Sequence, residues 1–359
     1  MIVFNNLVFV GQISGGVSLV WKYVIRKFIN HDGVLFLEYK HSMNNIFRQQ
    51  LNIDEKQQYI LKGGSYLNRL IAPGLKFIND KIIYITSEYN LLKRENVFNI
   101  IIIHDFIYEL YSPKSFSYYF NVIPKSNAIR KSDAIICVSE NTRRDLFTFF
   151  PSLPSEKVTV IHNGVSDDFK LNAPLSALFL MLNPQKYVVF IGARSSYKNF
   201  KLTVDSLHYS DLNLQLVIVS NQPLNRSEVT YLNQKLGCGR YFLFNKLSNS
   251  DLNGLYSNAF SLMYLSKYEG FGIPVLEAQR SVCPVIASVL SSIPEVGGNG
   301  YIPVETLDVQ SVSNAIKKLL DQSVRIQIIE KGYANSMRFS WEKTSELYFD
   351  FINKACCQL

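Results

Sequence analysis

Two carboxylates, Glu269 and Glu277, close the ends of the stretch Glu269-Gly270-Phe271-Gly272-Ile273-Pro274-Val275-Leu276-Glu277. Gly270 and Gly272 let a loop take backbone angles closed to other residues and let a ligand approach the main chain. Pro274 suits the first turn of a helix, where its missing N–H costs nothing. The spacing predicts a strand over Ala259 to Tyr264, a glycine loop carrying Glu269, and a helix from about Pro274 with Glu277 in its first turn. The open N–H groups of such a helix start attract anions. A carboxylate there repels a phosphate unless it binds something else, such as a sugar hydroxyl, so the chemistry suggested is that of a nucleotide sugar. On spacing alone the bland reading stands beside it: a Glu favoured by the helix dipole, after a plain Gly-Phe-Gly turn.

Two further groups could join that chemistry. Arg194 and Lys198 follow Gly192 and precede a helix over Phe200 to Leu207. Cations four apart beside a helix start suit a diphosphate, Arg as a bidentate fork and Lys as a point charge; a solvated basic loop is the alternative. His104-Asp105 ends the run Asn99-Ile100-Ile101-Ile102-Ile103. A histidine there is structural or functional, and Asp105 either orients its imidazole or caps the next turn.

The elements that must position these residues alternate between strand and helix. The isoleucine run reads as a strand buried on both faces, with His104 at its carboxyl end, where doubly wound sheets bind ligands. Ile2 to Asn5 is a first strand, Val8 to Gln12 an apolar loop or strand, and Ser14-Gly15-Gly16-Val17 a turn into a helix through Leu19, Tyr23 and Phe28. Val34 to Glu38, Tyr59 to Leu61 and Lys81 to Ile85 are further strands, while Asn44 to Asn79 reads poorly and is expected to hold acceptor loops. Ala134 to Val138 leads to a helix capped by Ser139, and Val158 to His162 to the turn Asn163-Gly164-Val165. A second series begins at Tyr187 to Ile191 and continues with strands over Leu214 to Val219, Tyr241 to Phe244 and Pro284 to Ser288, before helices over Val309 to Leu320 and Val324 to Asn353. The boundaries expected are 1–170 for a first domain, 171–186 for a linker with a short helix near Leu175 to Leu182, 187–335 for a second domain, and 336–359 for a terminal helix crossing back to the first.

With 359 residues, 47% hydrophobic and 18% charged, the chain can fill two cores and is not disordered. No apolar run approaches the ~18 residues of a membrane span, and the N-terminus lacks the pattern of a signal peptide. Five cysteines without a C-x-x-C pair imply reduced thiols in a cytoplasmic protein. The net charge of +8 suits an acidic partner: an anionic membrane surface or a lipid diphosphate, with nucleic acid disfavoured by the lack of a recognition pattern. No D-x-D, zinc spacing, P-loop or Gly-x-Gly-x-x-Gly occurs.

The segment Ser266 to Ala278 resembles the E-x7-E signature of the retaining GT-B glycosyltransferases of family 4. Further segments resemble that family in the same order: Ile103-His104-Asp105-Phe106, Val138-Ser139 to Asp145-Leu146, Ile161-His162-Asn163-Gly164-Val165, Gly192-Ala193-Arg194 to Lys198-Asn199, and Ser291-Ser292-Ile293-Pro294-Glu295-Val296. One departure is that Ser281-Val282-Cys283 precedes Pro284-Val285-Ile286 where relatives carry a glycine, so that helix must end without its usual cap.

The resemblance implies an α/β GT-B chain, two Rossmann-like doubly wound domains facing across a cleft, with the donor held mainly by the second. It implies that His104 and Glu269 act at the transferred sugar, with the amides of Phe271, Gly272 and Ile273 on the same sugar and Glu277 on the ribose. Arg194, Lys198 and the Gly16 turn would meet the diphosphate, and Lys246 and Leu247 the base. No cofactor and no metal are expected beyond a GDP- or UDP-linked substrate. The implied reaction retains anomeric configuration by same-face transfer, and mannosyltransferase-like members suggest a lipid-linked O-antigen or capsule precursor as acceptor. The expected place is the cytoplasm, at the inner face of the membrane where such an acceptor is met. A catalytically silent sugar-nucleotide binder, a GT-B epimerase and a sugar phosphorylase are the alternatives; the E-x7-E pattern disfavours the epimerase, and no cofactor-lysine signature supports the phosphorylase.

Overall fold

The computed structural model describes residues 1–11, 13–61, 73, 75, 80–87 and 89–356, and the acceptor loops expected between Asn44 and Asn79 fall partly outside that set. Two compact units form: Met1–Gly164 together with Trp341–Leu359, and Val165–Ser340.

In the first unit, β1 (Ile2–Asn5), α1 (Gly16–Ile25), β2 (Val34–Tyr39), α2 (Ile46–Gln49), β3 (Gln58–Leu61), β4 (Ile82–Ser87) and β5 (Val97–Ile103) follow one another. Then come α3 (Ile107–Tyr111), α4 (Phe116–Lys131), β6 (Ala134–Cys137), α5 (Glu140–Phe149) and β7 (Val158–Val160). The strands form one parallel sheet in the order β3-β2-β1-β4-β5-β6-β7. Ile100 to Ile103 lose all exposure, as expected of a strand covered on both faces. The apolar stretch after β1 is a 3-10 turn, Asn6–Phe9, because the Asn5 side chain accepts the Leu7 N–H and starts it. Ser139 caps α5 by accepting the Thr142 N–H.

The second unit runs through β8 (Tyr187–Ile191), α6 (Phe200–Ser210), β9 (Gln215–Val219), α7 (Arg226–Leu236), β10 (Tyr241–Phe244), α8 (Asn249–Ser257) and β11 (Ser261–Tyr264). It continues with α9 (Ile273–Arg280), β12 (Val285–Ser288), α10 (Ile293–Gly297), β13 (Ile302–Val304), α11 (Val309–Lys318) and α12 (Gln322–Ser336). Its sheet, also parallel, has the order β10-β9-β8-β11-β12-β13. Both sheets therefore reverse direction of winding once, between β1 and β4 and between β8 and β11, and ligands of such sheets bind beyond the strand ends at that point. The apolar segment before β8 carries a 3-10 turn, Ala177–Phe179, whose Phe179 ring packs edge-on against Phe244 at 4.9 Å.

The helical tail expected from Val324 to Asn353 is broken after Ser336, and α13 (Trp341–Cys356) belongs to the first unit. Trp341 stacks on Tyr23 of α1 at 4.3 Å, and Glu342 pairs with Arg26 and Lys27. No described helix is long and apolar enough to cross a membrane.

Candidate active site

The loops after β8 and β11 flank the reversal point of the second sheet, and they bring Lys198 and Glu269 together. Lys198 Nζ lies 2.5 Å from Glu269 Oε1, with 14% and 10% of the two side chains exposed. Several contacts fix the pair. Gly192 takes φ +116°, a backbone angle that favours glycine, and a Cβ there would only touch the lysine stem, 3.7 Å from Lys198 Cε. Asn199, in the left-handed region, donates to the Leu265 carbonyl, and the Lys267 N–H donates to the Tyr197 carbonyl, tying one loop to the other. The rings of Tyr264 and Tyr197 lie 5.3 and 5.7 Å from the ammonium. Burial, with the adjoining Glu269 carboxylate, pushes the Tyr264 phenol well above its usual range, so it stays protonated.

The Glu269 loop is held from below by two serines. Ser291 Oγ accepts the Glu269 N–H at 2.8 Å, and Ser292 Oγ lies 2.9 Å from the Glu269 carbonyl and 2.7 Å from that of Phe271. With these carbonyls engaged, the N–H groups of Gly272 and Ile273 make no hydrogen bond to a described residue. Two amides are thus open at the start of α9, where the helix dipole adds positive potential. The Phe271 ring is buried, edge-on to Phe339 at 6.0 Å, so this residue offers backbone and not side chain to a ligand.

Glu277 sits one residue further along the helix than its spacing predicted. Helix α9 begins at Ile273, placing Glu277 fifth and beyond the first turn, because Gly272 at φ +104° and Pro274 in second place start the helix early. Its carboxylate has no ion pair or hydrogen bond among the described residues. Burial alone raises it to about 7. The Tyr256 phenol, itself buried without a hydrogen-bond partner among the described residues, feels the Glu277 charge. A half-buried carboxylate with unused acceptors is suited to hydroxyl groups brought by a ligand.

The missing glycine at the end of α9 is replaced by a strained valine. Cys283 N–H bonds the Ala278 carbonyl and Val282 N–H bonds that of Gln279, the complete double-bonded helix stop. Val282 occupies its left-handed position at φ +54°, a conformation costly for a β-branched residue.

Arg194 is not drawn to the pair. Its guanidinium forks onto Glu228 at 2.7 and 3.2 Å and donates to the Gln222 and Pro223 carbonyls at 3.0 and 2.7 Å. Four donations from one guanidinium leave little for a phosphate unless a bond opens. Arg194 holds Glu228 below the usual carboxylate range, and Glu228 in turn caps α7 reciprocally with Asn225. Lys246, exposed at φ +51°, and the half-buried Leu247 follow β10 on the same edge of the sheet.

In the first unit, the buried His104 follows β5 with Nε2 3.1 Å from Ser87 Oγ at the end of β4. Burial, reinforced by Lys125 and opposed by Asp105, pushes its imidazole down to about 4, so it is uncharged near neutrality. The Asp105 carboxylate accepts the Ile107 N–H at 3.0 Å, a cap on the following turn. Gly16 opens α1 in a place where a Cβ would meet nothing within 4 Å. Sequence reasoning passed over Ser87, Lys125 and Glu228, and it named Ser291 and Ser292 only as part of a family segment, with no role at the Glu269 loop. For Glu228 a signal existed, since Asn225-x-x-Glu228 has the spacing of a capping box.

Two family models match the chain: Glycosyltransferase Family 4 over residues 80–169 and Glycosyl transferases group 1 over residues 181–335. The O-antigen chain mannosyltransferase B of Escherichia coli is 27% identical over 220 residues, covering 58% of this chain and 57% of that one. The O-antigen chain mannosyltransferase RfbU of Salmonella typhimurium is 28% identical over 248 residues, 68% of this chain and 66% of that one. The chain thus spans less than two thirds of the length of these relatives. The crystal structure of Anabaena Alr3699/HepE with UDP and glucose superposes with a TM-score of 0.73 at 17% identity, over 98% of this chain and 99% of that one. The shared architecture is the GT-B fold.

Proposed function

The chain belongs to the group 1, family 4 glycosyltransferases of GT-B fold, and on that premise we propose that it moves a hexose from a nucleoside-diphosphate sugar to a saccharide acceptor with retention of configuration. Mannose is the favoured sugar, supported by the mannosyltransferases among its relatives. The observation that carries the reading is the meeting of Lys198 and Glu269 on the loops that flank the reversal point of the second sheet, the Glu269 loop running on into a helix start with two open amides. Breaking a sugar–phosphate bond develops positive charge on the sugar and negative charge on the leaving diphosphate. Lys198 and the amides of Gly272 and Ile273 meet the negative charge, Glu269 the transferred sugar, and Glu277 the ribose hydroxyls. His104 is uncharged and so offers a hydrogen bond without repelling the developing cation. Same-face transfer, with the donor phosphate taking the acceptor's proton, completes the proposal; no metal is assigned a step.

The acceptor we favour is a lipid-linked saccharide of an O-antigen or capsule precursor, met at an anionic membrane surface on the cytoplasmic side. The net charge of +8 supports this, as do exposed Tyr108, Tyr111, Phe116, Tyr119 and Ile123 on α3 and α4. A panel of GDP-mannose, GDP-fucose and UDP-sugars tested by thermal shift identifies the donor, and NMR of the product gives the anomeric outcome. Absence of any stabilising sugar nucleotide would end the proposal, binding without transfer would reduce the chain to a silent binder, and inversion would remove the mechanism. Sedimentation with anionic but not neutral vesicles tests the membrane contact.

A further inference from the structure

Beyond the residues given roles above, one buried cation has no part in the reaction as drawn. Lys125, just after Pro124 inside α4, keeps 5% of its side chain exposed. Its ammonium donates to the Asp105 carbonyl, pairs with the buried Glu109 carboxylate at 3.3 Å, and lies 4.2 Å from the Phe106 ring centre. These three groups belong to the segment that leaves β5 directly after His104. We propose that Lys125 is a positioning residue for His104, locking from α4 the turn on which the imidazole is carried.

The inference rests on the reading of His104 as a site residue, and it follows from what the contacts hold. His104 is gripped from β4 through Ser87 and from α5 through the Thr142 hydroxyl, which reaches the His104 carbonyl at 3.4 Å. Lys125 supplies the third side. Stability alone is a weak reason for a lysine here, since buried ion pairs are often replaced by apolar side chains without loss. An apolar residue would fill the space but could not bond a carbonyl, a carboxylate and a ring face at once. The charge has a second effect. Asp105 on its own turn and Lys125 from α4 are charged groups that act on the imidazole, with Glu109 of α3 beyond the lysine. Lys125 opposes protonation of the ring and Asp105 favours it.

The test uses the full chain with labelled histidine, the His104 signal among five histidines being identified with His104→Gln. In Lys125→Met and Lys125→Gln, the His104 titration midpoint is expected to rise by about half a unit to one unit. Turnover should fall about tenfold with nucleotide affinity unchanged. Lys125→Arg, which keeps the charge, should leave the midpoint at the parent value. An unmoved midpoint in a folded Met or Gln variant, parent-like turnover, or a raised midpoint in the Arg variant would overturn the assignment. If neither neutral variant folds, Lys125 is a core strut and the assignment is withdrawn. The titration needs no sugar donor, so its failure is distinguishable from failure of the transferase reading.

Discussion

Replacing Glu277 by Gln should stabilise the ligand-free protein and weaken its hold on nucleotide. The native carboxyl lies near 7 and its ordinary value is 4.5. As pH rises from 4.5, the unfolded chain loses this proton before the native one does, so native stability falls between 4.5 and 7 and stays lowered above. A shift of that size corresponds to about 3 kcal/mol at most. Glu277 keeps some exposure, and solvent screening brings the expected gain to about 1–2 kcal/mol, or a Tm increase of about 2–6 °C. The difference between Glu277→Gln and parent should vanish near pH 4.5, where the parent carboxyl is neutral too, and reach its full value above pH 7.5. Urea denaturation at several pH values reads this directly. Calorimetry with the preferred nucleoside diphosphate should show affinity at least about tenfold weaker, near 1.4 kcal/mol, as charge-assisted bonds to hydroxyls are lost. A stability difference that does not change with pH, or an unchanged dissociation constant, would refute the reasoning.

Lys198→Met should lower turnover by about tenfold to a hundredfold, 1.4–2.7 kcal/mol in the barrier; a near-parent rate in steady-state assay would remove it from the leaving diphosphate. Arg194→Ala should lower stability by about 1–3 kcal/mol through loss of the fork to Glu228, a pair only partly shielded from water. Its activity well below the new melting temperature should fall less than that of Lys198→Met, and the opposite order would return Arg194 to the diphosphate. Val282→Gly should raise Tm, because relief of a left-handed valine, about 1 kcal/mol, exceeds the added freedom of the unfolded chain; a lower Tm in calorimetry would show that its side-chain packing matters more.

How far the sequence could be read depended on the range of the interactions concerned. Ile100 to Ile103 announce a doubly covered strand, and Gly272 with Pro274 announce a helix start, because local geometry alone decides both. Helix α4 escaped notice because its apolar residues are spread around its circumference and leave Phe116 and Ile123 exposed, so no helical stripe marks it. Ser291 and Ser292 hold Glu269 from more than twenty residues away, and Arg194 finds Glu228 from a different loop. Such pairings follow from strand order, which the one-dimensional pattern does not contain. The departure at Ser281-Val282-Cys283 was visible, but only the backbone tells that a valine assumes the glycine's conformation.

The placement of α13 bears on the order in which the chain can fold. Because Trp341–Cys356 packs on α1 while Val165–Ser340 forms a contiguous body of its own, the unit begun before that body is finished only after it has been made. Until α13 has been made, the Tyr23 face and the basic side chains of Arg26 and Lys27 wait uncovered, a window in which a nascent chain is open to chaperones and to misassociation.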